Sequence, residues 1–241
     1  MGFFKKLAGA LSKKKYRKNP NAAILTVEQY AALYVGAINS EQTMYFCDSL
    51  QTGSDKNEIS RSVKDYYGIV DRDTALMTLN WLSSRGHRIY FEAIKQLVSG
   101  LSIAVDEAIL EEDEKVNTYK YMNHLNHTIE DLVKNKHINK REDLSTKSIV
   151  GWDMGRLVLI TRCCYDLAYV SEEEAWSYIN KAHRECQNTY LNWKEFADGY
   201  IIGRSMWSGS HTTLHGIMEI AKELLKDADS PWLKYSLRQK L

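Results

Sequence analysis

Proline occurs only twice in the 241 residues, at Pro20 and Pro231, and these two bracket nearly everything else. Proline breaks helix interiors because it lacks an amide donor and its ring clashes with the preceding turn. A long proline-free stretch is what a helical body shows. The sequence between the prolines has few alternating β-branched runs and many apolar positions at 3.6-residue spacing. The predicted fold is all-α: a single compact multi-helix domain of about eight or nine helices, preceded by a short basic amphipathic N-terminal segment. The expected division is a tail over residues 1–20, a helical domain over 21–232 and a C-terminal tail over 233–241.

Several helix boundaries are chemically explicit. Thr26 with Gln29 and Ser171 with Glu174 have capping-box spacing. Asp71 caps a run over 72–85 that Gly86 stops, and Asn192 caps 193–207 ahead of Gly209. Further helices are expected near 57–66, 88–109, 115–136, 147–167 and 213–226. The acidic run 111–114 reads as the start of one of them, where carboxylates favour the helix dipole. Residues 51–56 and 137–146 read as the longer loops.

One frame recurs: Gly151-Trp152-Asp153-Met154-Gly155-Arg156 and Gly199-Tyr200-Ile201-Ile202-Gly203-Arg204. Glycine inside a helix costs roughly 1 kcal/mol relative to alanine, so four such positions need a compensation. Spacing by four puts each pair on one face, where another backbone can approach. The two helices are therefore expected to cross near Gly151, Gly155, Gly199 and Gly203, bringing Arg156 and Arg204 together. Asp153 is the natural partner of Arg156, Asp166 of Arg162, and Asp198 or the 172–174 turn of Arg204. Trp152, Trp176, Trp193 and Trp207 offer surfaces on which guanidinium groups stack. The corner Gly86-His87-Arg88 gathers the free donors of a helix start. Asp153, Arg156, Arg162, Arg204, His87, Arg88, Trp152 and Trp207 thus form a candidate cluster. Its first reading is a structural network of ion pairs and rings; its second is a pocket for phosphate or carboxylate, which arginine reads in bidentate fashion.

The charge balance of +1 hides a segregation. Seven cations and no acid lie in residues 1–18, so the rest of the chain has six more acids than bases. Phe3, Phe4, Leu7 and Leu11 fall in one arc of a helical wheel, with Lys5 and Lys6 off it, and a polybasic run follows over 13–18. That pattern suits an anionic membrane surface or a protein partner. Nucleic acid is the least favoured partner. Myristoylation fails because Lys6 stands where Ser or Thr is needed.

A hydrophobic fraction of 44% and a charged fraction of 26% exclude disordered, collagen-like and disulfide-scaffold classes. The spacing of Cys47, Cys163, Cys164 and Cys186 fits neither zinc nor redox motifs, and points to a reducing compartment. No secretory signal or membrane span is recognisable. The expected location is cytoplasmic, peripheral at the inner face of the membrane if the tail engages it. The pairs His124 and His127, His211 and His215, and His183 and Cys186 carry no supporting ligand pattern, so neither metal nor cofactor is expected.

The motifs also form a recognisable set. Tyr66-Tyr67-Gly68-Ile69, Asp71-Arg72-Asp73, Leu79-Asn80-Trp81-Leu82 and Gly86-His87-Arg88 resemble the first half of a bacterial family catalogued as domain of unknown function 1266. Its second half is resembled by Trp152-Asp153-Met154-Gly155-Arg156, Arg162, Tyr169-Val170-Ser171 with Glu172–Glu174, Trp193-Lys194-Glu195-Phe196, and the Gly199 to Arg204 frame with Trp207. Tyr67 departs from the tryptophan usual there. The resemblance spans roughly residues 22–232 and implies a bacterial, mostly intracellular domain without an assigned activity. The leading functional expectation is a non-enzymatic helical interaction domain with a membrane- or partner-binding tail. The alternative is a binding or enzymatic domain for a small anionic ligand, built on the Arg, Trp and His cluster.

Overall fold

The computed structural model describes residues 15–98 and 110–238. The capping signals are all used. Thr26 accepts from the Gln29 amide (3.2 Å) to open α1 (Val27–Leu33), and Asp71 accepts from Thr74 (2.9 Å) to open α4 (Arg72–Ser84). Ser171 opens α8 (Glu172–Thr189) and Asn192 opens α9 (Trp193–Ser208), each through the amide three residues on. Gly86 has φ +60°, its amide returning to the Trp81 carbonyl, and Gly209 has φ +59° at the end of α9. A side chain at either turn would be strained.

The remaining elements are α2 (Ala37–Thr43), α3 (Lys56–Tyr67), α5 (Arg88–Val98), α6 (Glu112–Lys134), α7 (Val150–Asp166), α10 (His211–Lys226) and a closing turn α11 (Pro231–Lys234). A 3₁₀ turn, Tyr34–Gly36, joins α1 directly to α2, so this pair is one interrupted helix and α3 to α10 follow it. No strand occurs among the described residues. The expected loop 137–146 contains a second 3₁₀ turn, Arg141–Thr146, held by Asp143 accepting from the Asn139 amide (2.8 Å). The expected continuation of α5 to Ile109 runs beyond the described residues.

α7 is the axis of the molecule. Every residue from Gly151 to Cys164 except Leu159 is buried, with α2, α3, α4, α8 and α9 packed around it. The crossing with α9 depends on its glycines. A Cβ on Gly203 would lie 2.3 Å from the Trp152 Cβ, and one on Gly155 would lie 2.8 Å from the Tyr200 ring. A Cβ on Gly151 would lie 3.0 Å from the Phe196 carbonyl, and one on Gly199 would meet the Tyr190 hydroxyl at 2.3 Å. Close helix approach is thus the compensation for Gly151, Gly155 and Gly203, whereas Gly199 lies apart from the crossing and makes room for the Tyr190 hydroxyl and the Ser148 carbonyl.

The chain enters this body at residues 15–19. Lys15 pairs with Glu223, the Tyr16 amide donates to Glu41 (3.1 Å), and Asn19 donates to Asp48 (2.8 Å). Arg17 donates to the Met44 and Gly53 carbonyls and lies over the Phe46 ring. The amphipathic stripe Phe3, Phe4, Leu7 and Leu11, with Lys5 and Lys6, lies outside the described residues. Among those described, no helix is long and apolar enough to cross a membrane.

Candidate functional site

Polar side chains on a fully buried helix must find partners inside the protein. Asp153 (0% exposed) finds four. Its Oδ1 accepts from the His87 amide (2.9 Å) and Arg156 Nη2 (2.7 Å); its Oδ2 accepts from the Arg88 amide (3.0 Å) and Arg88 Nη1 (3.2 Å). Arg88 also donates to the Leu82 and Ser83 carbonyls at the end of α4. A Cβ on Gly86 would lie 2.2 Å from Asp153 Oδ2, so only glycine lets the corner sit on the carboxylate. Asp153 and Arg88 therefore form a joint between α4, α5 and α7, and the joint fixes His87.

Arg156 Nη2 also donates to His87 Nδ1 (2.8 Å), and its guanidinium lies 4.4 Å from the Trp152 ring centre. An arginine can only donate, so His87 Nδ1 must be the acceptor and the ring proton sits on Nε2. Burial first, and then the Arg156 charge, push the His87 imidazole from 6.5 down to about 2. Below pH 6.5 the unfolded chain takes up a proton here that the folded chain refuses, so this group removes stability as pH falls. Glu41 acts oppositely: burial raises it from 4.5 to about 7, so acid favours its folded form in an overlapping window. The expected result is therefore a difference. Between pH 7 and pH 5, a His87→Gln variant should gain about 2 kcal/mol relative to wild type in urea unfolding. A constant gap between the two proteins would contradict a neutral, buried His87.

Arg204, 4% exposed, is unlike the other two arginines of this corner. Its guanidinium lies 4.8 Å from the Trp207 ring centre and 5.8 Å from that of Trp152. Among the described residues it makes no hydrogen bond and no ion pair, and its Nε is buried without an acceptor. Burial and the nearby Arg156 charge both loosen its hold on its proton. The acids expected to serve it are engaged elsewhere. Asp198 binds Lys194 (2.6 Å) and His137 (2.8 Å), and Glu174 binds Arg72 (2.6 Å).

These side chains face one cavity of about 550 Å³, lined by Arg156, Arg204, His87, Trp152 and Trp207 among others. Trp81, Tyr67 and Tyr200 add aromatic wall, and Asn39 reaches in from α2 to donate to the Tyr200 hydroxyl (2.8 Å). Burial keeps the Tyr67 and Tyr200 phenols protonated. Two more buried polar atoms on these walls lack partners, Trp152 Nε1 and Asn39 Oδ1. The wall thus carries a cation without an acceptor beside room for a guest, and two more of its residues, Trp152 and Asn39, each keep a buried polar atom unpaired.

A family model described as Protein of unknown function (DUF1266) matches residues 62–237. The chain belongs to this family. No curated protein matches it, and no solved structure does. The DUF1266 match carries His87, Trp152, Arg156, Arg204 and Trp207, whereas Asn39 is supplied by the segment before it.

The remaining sequence candidates lie apart from the cavity. Arg88 and Asp153 stand behind it. Arg162 does not pair with Asp166: it donates to Ser40 and to the Leu50, Phe46 and Gln51 carbonyls, while Asp166 accepts from Thr52. Trp193 stacks on Trp232 (5.0 Å) and Trp176 packs on the core, so neither meets a guanidinium. His124 faces the Met206 and Trp207 carbonyls, His183 faces Leu237, and His211 and His215 flank Asp131. Among the described residues, no three His, Cys, Asp or Glu are arranged to hold a metal. The four cysteines are free and buried. Asn39, Tyr67, Trp81 and Tyr200 are among the wall residues that the sequence does not assign to a site. Tyr200 lies inside a glycine frame, and Tyr67 and Trp81 lie in motifs of the family resemblance, whereas Asn39 carries no local signal.

Proposed function

We propose that this protein binds a small anionic molecule in the cavity between α2, α3, α4, α7 and α9, with Arg204 as the anchoring cation. The observation that carries the reading is the isolation of Arg204. A buried charge without a counter-charge is costly, and structural arginines are usually paired. Arg156 illustrates the structural case, because it is paired with Asp153, a carboxylate it shares with Arg88. An anion in the cavity would give Arg204 its missing partner through charge-assisted hydrogen bonds. His87 contributes a neutral ring, and Trp152 and Trp207 hold the guanidinium in place.

The test separates binding from folding. Arg204→Met keeps the volume and removes the charge. Its melting temperature should equal or exceed that of wild type, since a buried unpaired cation costs more than an apolar side chain there. At the same time, fluorescence enhancement of the anionic probe 8-anilinonaphthalene-1-sulfonate should fall at least tenfold in affinity. A melting temperature lowered by about 5 °C or more, with probe binding unchanged, would return Arg204 to a purely structural role.

A further inference from the structure

The cavity's charge and wall chemistry also define the ligand class, an inference that rests on the anion-binding reading above. We infer that the guest is a monocarboxylic acid with an apolar, predominantly flat body.

The charge count comes first. Among the described residues, no aspartate, glutamate or lysine lines the cavity. Arg156 is tied to Asp153, and Arg88, the second cation beside that carboxylate, is held by the Leu82 and Ser83 carbonyls and does not line the space. His87 is uncharged. Arg204 is therefore the one cation on the wall without a partner among the described residues. A single negative charge would satisfy it. A dianion would bring a second charge into a space whose other polar side chains, the amides of Asn39 and Gln42 and the hydroxyls of Thr43, Ser62, Thr78 and the tyrosines, are all uncharged. Burying that extra charge is unfavourable. The donors available suit a planar carboxylate, which takes a guanidinium in bidentate fashion and has a lone pair left for an indole N–H or phenol.

The walls supply the rest. Tyr66, Tyr67, Trp81, Leu82 and Leu159 add rings and aliphatic carbon to the wall that also holds the two indoles beside Arg204. Pockets of this size and lining take up apolar bodies and orient them by a few polar contacts. Flat rings are favoured where the walls themselves are aromatic.

A matched series tests this with the full chain at pH 8: 2-naphthoate, 2-naphthyl phosphate and 2-naphthalenemethanol, followed by calorimetry and by quenching of tryptophan fluorescence. The ring is constant and the head group carries one, two or no negative charges. The expected result is that naphthoate binds at least tenfold more tightly than either other compound, and that Arg204→Met abolishes this preference. If the phosphate binds as well as naphthoate or better and still depends on Arg204, the monocarboxylate inference falls while anion binding stands. If the alcohol binds as well as naphthoate, charge recognition falls and the anion reading falls with it. Absence of binding by all three at millimolar concentration overturns the inference.

Discussion

Asp153→Ala should melt about 10 °C below wild type, one of the two largest losses expected of a single change in this protein. The carboxylate is wholly buried and accepts four hydrogen bonds, two of them from guanidinium groups. Removing one partner of a buried ion pair costs about 3–5 kcal/mol, mostly because the other charge remains buried without compensation. For a chain of this size each kcal/mol lowers the melting temperature by about 2–4 °C. Here the orphaned groups are Arg156 and the start of α5, so the α4–α5 corner loses its attachment to α7. A double variant, Asp153→Ala with Arg156→Met, should recover part of the loss, because the uncompensated cation has gone. Scanning calorimetry of the three proteins reads both effects. A drop below about 3 °C for the single variant would mean that Asp153 does not anchor the corner.

The contrast between Asp153 and Arg204 also shows what a sequence can express. Asp153 and Arg156 stand three apart on one helix, so their pairing follows from helical geometry alone. The same holds for the caps at Thr26, Asp71, Ser171 and Asn192, and for the glycine faces of α7 and α9. Each depends on residues within one turn of one another, or on a repeat that announces a close crossing. The family resemblance drew on these local features too, and the DUF1266 match over residues 62–237 agrees with it.

The site itself needed tertiary information. Asp198 and Glu174 are near enough in sequence to suggest partners for Arg204, yet His137, just past the end of α6, together with Lys194 takes the first, and Arg72 from α4 takes the second. Whether an arginine is paired depends on every acid the fold brings near, which no local spacing encodes. Asn39 is similar: it lies about 160 positions from the Tyr200 it contacts, on a helix outside the glycine frames. At the end of the basic segment, Lys15, Tyr16 and Arg17 are fastened to the body by Glu223, Glu41 and two backbone carbonyls. Formal charge carries no information about which cations are already engaged.

Arg162 extends this lesson into the second large effect. It is 1% exposed and donates to three carbonyls between α2 and α3 and to the Ser40 hydroxyl in the middle of α2. Backbone acceptors have no signature in a sequence, whereas Asp166, one turn away, is the partner that local spacing offers. The carbonyl cage has a distinct energetic consequence. A buried ion pair replaced by apolar residues on both sides is often tolerated, because both polar groups disappear together. The Leu50, Phe46 and Gln51 carbonyls cannot be mutated away. Arg162→Met leaves the Leu50 and Phe46 carbonyls without a donor, at about 1–3 kcal/mol each, while the Gln51 carbonyl keeps the Ser49 hydroxyl; the cost is partly offset by relief of the buried cation. The expected net loss is about 3–5 kcal/mol in urea unfolding. Arg162→Lys should recover less than half of it, since one ammonium cannot span positions that a guanidinium fork reaches. Hydrogen exchange localises the effect. The Phe46, Cys47 and Thr52 amides, which are bonded to Thr52, Arg17 and Asp166, should lose protection well before those of α8 and α10. If Arg162→Met stays within about 1 kcal/mol of wild type, the Arg17 and Thr52–Asp166 contacts suffice to hold residues 44–55. A uniform loss of protection across all helices would instead place Arg162 in the global core, without a special tie to that segment.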